Sequence, residues 1–96
     1  MNKVVSMQGR ITIENSGEMR KQLEVALRSD SEKVTVVLSG VPYMDTSGLA
    51  TLLEAMRLSQ ELKKELVLQG IQEQPRYLFK VTDLDHVFEI EEGEEK

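Results

Sequence analysis

Hydroxyls and carboxylates beside a helix start are where this chain could do chemistry, and "YMDTSGLATLLEAM", residues 43 to 56, sets Asp45, Thr46 and Ser47 in a row at such a join. Side-chain oxygens of this kind accept the orphan N–H groups of a first helical turn, so one reading has Ser47 capping its helix. A second uses the same place: the free N–H groups and the positive end of the macrodipole would accommodate a phosphate on Ser47. Gly48 would then leave backbone room beside the hydroxyl for a kinase or a partner to approach.

Catalysis by Ser47 finds little support. A hydrolase needs a base, and the single histidine, His86, lies in the polar stretch "TDLDHVF" about forty residues on, with no GxSxG elbow. Neither GxxxxGK[ST] nor GxGxxG occurs, so no loop is built to cradle a phosphate. Asp45, Asp83 and Asp85 could hold a metal only with a His or Glu at ligand spacing on a common element, and they read instead as solvated loop residues. No enzyme, cofactor or metal site is expected.

Composition narrows the field further. Ninety-six residues with 40% hydrophobic content suit one modest core and one domain. The absence of cysteine excludes disulfides, thiolate metal sites and thiol nucleophiles. No run approaches the roughly 18 apolar residues of a membrane span, and the N-terminus lacks a signal-peptide core, so a soluble cytoplasmic protein without membrane insertion is expected. The net charge of -5 is concentrated in "EIEEGEEK", whose five Glu and one Lys leave the other 88 residues with 12 acids against 11 bases. That near-neutral body has no basic stripe for nucleic acid, and the acidic run reads as a solvated tail.

The elements that must position the hydroxyls follow from periodicity. "VVSMQGRITI" has extended character with a kink at Gly9, and "ENSGEMRKQLEVALRSD" reads as a helix from about residue 16 to 28, opened by a capping box of Asn15 and Glu18. "KVTVVLSGV" is apolar on both parities, as in a central strand covered on both faces, and Pro42 ends it. Leu49, Leu52, Leu53 and Met56 then give a helix ending near residue 63. "LVLQG" reads as a short buried strand, "QEQPRYLFKVTD" as a helix with Pro75 at its first position, and "HVFEI" as a terminal strand. Strands and helices alternate throughout, which argues for an α/β sheet.

The strings "VTVVLSGVPYMDTSGLATLLEAM", "LVLQGI" and "YLFKVTDLDHVFEI", with Gly9 in "MQGRI", resemble the STAS domain, found in anti-sigma-factor antagonists, sulfate transporters and the Mla lipid-transport system. The resemblance covers about residues 4 to 90 and implies a STAS-like mixed β-sheet of about four strands with three helices packed on it. It sets residues 1–90 as the domain and 91–96 as the acidic tail. It implies a binding module in which Ser47, the second hydroxyl of D-[ST]-[ST]-G-L, is phosphorylated by an anti-sigma factor that is itself a kinase, breaking the complex until a phosphatase resets it. Asp45, Thr46, Ser47, Gly48 and Leu49 would form the partner-facing surface, with Asp45 also orienting the loop. The same motif is similar to that of the small STAS subunits that bind the ATPase of Mla-type ABC transporters, so that partner stays open. Family members usually carry a further edge strand before Val4 and often a C-terminal helix. Here either the sheet is one strand smaller or the start is internal to a longer chain, and an exposed edge favours a homodimer.

Overall fold

The structure is a computed structural model, and it describes residues 1–91. Seven elements alternate: β1 (Asn2–Gln8), α1 (Ser16–Arg28), β2 (Lys33–Gly40), α2 (Thr46–Glu61), β3 (Glu65–Gln69), α3 (Glu73–Val81) and β4 (Glu89–Glu91). The strands form one sheet in the order β1-β2-β3-β4, each paired in parallel with the next in sequence. The α/β class, four strands and three helices are those expected. The sheet, expected to be mixed, is parallel in all three described pairings because a helix carries the chain back after each strand.

α1 lies on β1 and β2, α2 on β3, and the two helices pack on each other. Between them and the sheet sit Leu23 and Leu27 of α1, Val34, Val36 and Leu38 of β2, Leu52 of α2 and Leu68 of β3, all essentially buried. Phe79 of α3 joins the same cluster and stacks on Phe88 with centroids 5.3 Å apart. Removing such side chains from water is the main stabilising term, about 1.5 to 3 kcal/mol for each large one.

β2 departs from the double-faced burial expected of it. Lys33, Thr35 and Val37 are only half-buried, whereas Val34, Val36 and Leu38 are buried, so the strand has one core face and one partly covered face. Gly9 takes φ +80 at the end of β1, a conformation that favours glycine, and its N–H bonds Gly40 O at 2.8 Å. The pairing shifts register between Ser6 and Gln8, and the chain then rejoins the sheet through an isolated parallel bridge of Ile11 with Met44.

Two helix starts also differ from expectation. Asn15 makes no side-chain cap on α1; its Oδ1 accepts from Thr12 N at 2.8 Å and its Nδ2 donates to Arg10 O at 2.9 Å. The capping box with Glu18 is therefore not formed, because Asn15 is used to close the preceding loop. Pro75 is the third residue of α3, not the first, and this costs nothing because the N–H there has no intrahelical acceptor in any case. Of the acidic tail expected from residue 91, Glu91 is the last residue of β4, and the remainder lies outside the described residues.

Candidate functional site

At the C-terminal end of the sheet, the kinked continuation of β1 runs beside the segment that leads into α2. Ile11 N donates to Tyr43 O and Asp45 N donates to Ile11 O, both at 3.0 Å. From the other side, Gln74 clamps the same segment, its Oε1 accepting from Met44 N at 2.8 Å and its Nε2 donating to Met44 O at 3.0 Å. Arg10 stacks over the ring of Tyr43 at 4.5 Å. The backbone on which Asp45 sits is thus held by two neighbours distant in sequence.

Asp45, extended at φ -99 and ψ -174, is the N-cap of α2. Its Oδ1 accepts from Ser47 N at 2.9 Å and from Gly48 N at 3.3 Å, and its Oδ2 accepts from Ile13 N at 3.2 Å. The Ser47 hydroxyl also donates to Oδ1, at 2.5 Å. That hydroxyl is the chief cause holding the Asp45 carboxyl below its ordinary value of 3.8; desolvation opposes it, and the N–H donors of Gly48, Ser47 and Ile13 each add to the lowering. Ser47, expected to cap the helix, instead occupies its second position and is a donor to the cap.

The five expected partner-facing residues separate by exposure. Thr46 is exposed, while Asp45 and Ser47 are half-buried on the rim, so these three lie together at the surface. Gly48 and Leu49 are buried, and Leu49 belongs to the core. The room expected beside Gly48 is already filled: a Cβ there would meet Met44 Cγ at 2.7 Å and Ile11 Cγ2 at 2.9 Å. Glycine lets α2 start against these side chains rather than admitting a partner.

Sequence reasoning missed Ile13, which is 74% exposed beside Asp45, and Gln74, thirty residues from the backbone it clamps. An apolar residue just past a kinked strand gives the only local hint for Ile13, and Gln74 has none. His86 stands apart from Ser47, since α3 starts at the clamp and returns the chain toward β4 before His86 is reached. Its Nδ1 lies 3.8 Å from Asp83 Oδ1 and 3.6 Å from Asp85 Oδ1, with ligand atoms of the three within 4.8 Å of one another. This cluster is at the surface and does not include Asp45. The site therefore offers a half-exposed hydroxyl, a hydrogen-bonded carboxylate and an exposed apolar side chain on a braced rim.

The STAS domain model matches residues 2–96. The chain is 31% identical over 88 residues to an anti-sigma-B factor antagonist of Listeria monocytogenes, a match covering 90% of this chain and 77% of that protein. A crystal structure of a candidate anti-sigma factor antagonist from Thermotoga maritima superposes with a TM-score of 0.80 at 22% identity, over 91% of this chain and 77% of that one. The Bacillus cell fate determinant SpoIIAA in its phosphorylated form superposes with a TM-score of 0.70 at 16% identity, over 94% of this chain and 82% of that one. At those identities the two structures speak to the fold.

Proposed function

The chain belongs to the STAS domain family, and from that premise we propose that it is an anti-sigma factor antagonist, a non-enzymatic cytoplasmic switch phosphorylated on Ser47. Its partner is an anti-sigma factor with serine kinase activity, which it binds through Asp45, Thr46, Ser47 and the neighbouring Ile13; a phosphatase reverses the modification. The observation that carries this reading is the bond from the Ser47 hydroxyl to Asp45 at the start of α2. It fixes the hydroxyl on the rim, within reach of a second protein. The names of the relatives support an anti-sigma factor as the partner class, and no helix among the described residues is long and apolar enough to cross a membrane.

The geometry also supports a switching mechanism. In the free form Asp45 and Ser47 are both half-buried, and Ser47 Oγ donates its proton to the Asp45 carboxylate. Phosphorylation removes that donor and adds about 1.5 to 2 negative charges beside a carboxylate that is already ionised. Asp45 keeps the N–H groups of Ser47, Gly48 and Ile13, so like-charge repulsion turns the phosphate outward rather than breaking the cap. A surface shaped by Ile13, Thr46 and a neutral hydroxyl then presents a dianion to the same partner. Docking is lost through charge and desolvation, with the fold unchanged.

Pull-down from the native cell followed by phosphorylation in vitro tests this. The expected partner is an ATP-binding kinase that places one phosphate on the chain, absent from Ser47→Ala. Ser47→Asp should weaken binding at least about tenfold, which is about 1.4 kcal/mol, while Ser47→Ala still binds. A phosphate on Thr46, or capture of an ABC-transporter ATPase with indifference to both variants, would sink the proposal.

A further inference from the structure

Among the described residues β1 and β4 are the two outer strands, and their outer edges differ in character. β4 carries Glu89 and Glu91, and charged side chains of this kind deter pairing between sheets. β1 reads NKVVSMQ, with no acid and no proline. Met1 O accepts from Glu32 N, and Gly9 N donates to Gly40 O, so the odd-numbered residues along β1 turn their backbone groups toward β2. By the alternation of an extended strand, Asn2, Val4 and Ser6 turn theirs outward. Val4 is 66% exposed and Val25 of α1 is 71% exposed, and both line one groove along this edge with Val5, Glu18 and Lys21.

We propose that a second copy of this chain occupies the β1 edge, with the two β1 strands antiparallel about a two-fold axis through Val4. Such a contact closes on itself, whereas a head-to-tail contact would not. It sets Val4 against its own counterpart and pairs Asn2 of each copy with Ser6 of the other, so the outward N–H and C=O groups are satisfied. Lys3 then falls opposite Val5 of the other copy, at the groove that Glu18 lines, and this attraction occurs twice by symmetry. Glu89 and Glu91 of β4 belong to the opposite edge, so neither acid faces the contact. Thr46 and Ser47, at the C-terminal end of the sheet, stay outside the contact and free for a partner.

The chain has no cysteine, so Val4→Cys introduces a single thiol. Cα atoms of a hydrogen-bonded antiparallel pair stand about 5.5 Å apart, within the span of a disulfide. Under mild oxidation Val4→Cys should become a covalent dimer, while the exposed Ile13→Cys remains mostly monomeric. In sedimentation the unmodified chain should show twice its sequence mass. Val4→Pro, which removes only an outward N–H, should lose the dimer with its circular dichroism unchanged. A chain that sediments as a monomer at its highest soluble concentration overturns the proposal. So does Ile13→Cys cross-linking as fast as Val4→Cys, or a monomer whose Val4 and Ser6 amides are slow to exchange, since another part of the chain would then cover the edge.

Discussion

Which of three adjacent oxygen-bearing side chains caps a helix is decided by where the backbone turns helical, a matter of one residue. Asp45 is still extended and Thr46 is already helical, so the carboxylate takes the cap and the Ser47 hydroxyl becomes its donor. The sequence made the trio visible, but the composition of "DTSG" cannot place that boundary. Gly48 was visible too, with the wrong reason attached, because the side chains that crowd it come from Ile11 and Met44. Two effects compete on adding a methyl group there. Helix propensity favours alanine by at most about 1 kcal/mol, while contacts at 2.7 and 2.9 Å must be relieved by moving core side chains, an overpacking cost of about 1 to 3 kcal/mol. Crowding wins, and Gly48→Ala should destabilise the domain by about 1 kcal/mol. Urea denaturation reads this directly, and an increase in stability would show that the start of α2 relaxes freely.

At the scale of the element, the helices were legible because their apolar faces repeat at helical spacing, and α1 was expected over the residues where it forms. Their ends were less legible, since the groups that finish them come from elsewhere. Asn15 serves the loop before α1 rather than the helix itself. The C-terminus of α1 is closed by Lys64, in the turn before β3, whose Nζ donates to Leu27 O at 2.5 Å and to Ser29 O at 2.6 Å. A cation on the last carbonyls of a helix satisfies orphan acceptors and meets the negative end of the dipole. Lys64→Met keeps much of the apolar stem and removes both bonds. Hydrogen bonds to a charged group contribute about 1.5 to 3 kcal/mol each when buried, and for this half-buried lysine a total loss of about 2 kcal/mol is expected, a fall of about 10 °C in Tm. A Tm within about 2 °C of the unmodified chain would mean that water replaces the ammonium without loss.

At the scale of the whole molecule, alternation of strand and helix already implied a layered α/β fold, but the pattern could not say that β2 has one face only half covered. Apolar residues on both parities look the same whether a second layer is complete or not. On that less covered face Val67 pairs laterally with Thr35 and Glu89. One acid there is perturbed by its neighbours: Glu89 is held above its ordinary value of 4.5 chiefly by its hydrogen bond with Glu65, then by desolvation and the charges of Glu65 and Glu91, with Lys33 opposing. A raised value means that the folded chain binds this proton more readily than the unfolded chain, so stability should rise as pH falls from 7 through the titration of Glu89. Asp45 works in the opposite sense. Its value is lowered, so its contribution is complete above its ordinary value of 3.8 and is lost as pH falls through the folded value. The two together predict greatest stability in the mildly acidic range, with a shallow neutral limb because both glutamates are exposed. Glu89→Gln should flatten that neutral limb and leave the acid limb in place, and high salt should do part of the same by screening. Thermal melts across pH in both chains check this, and a neutral limb that survives Glu89→Gln unchanged would place its origin outside the Glu65–Glu89 pair.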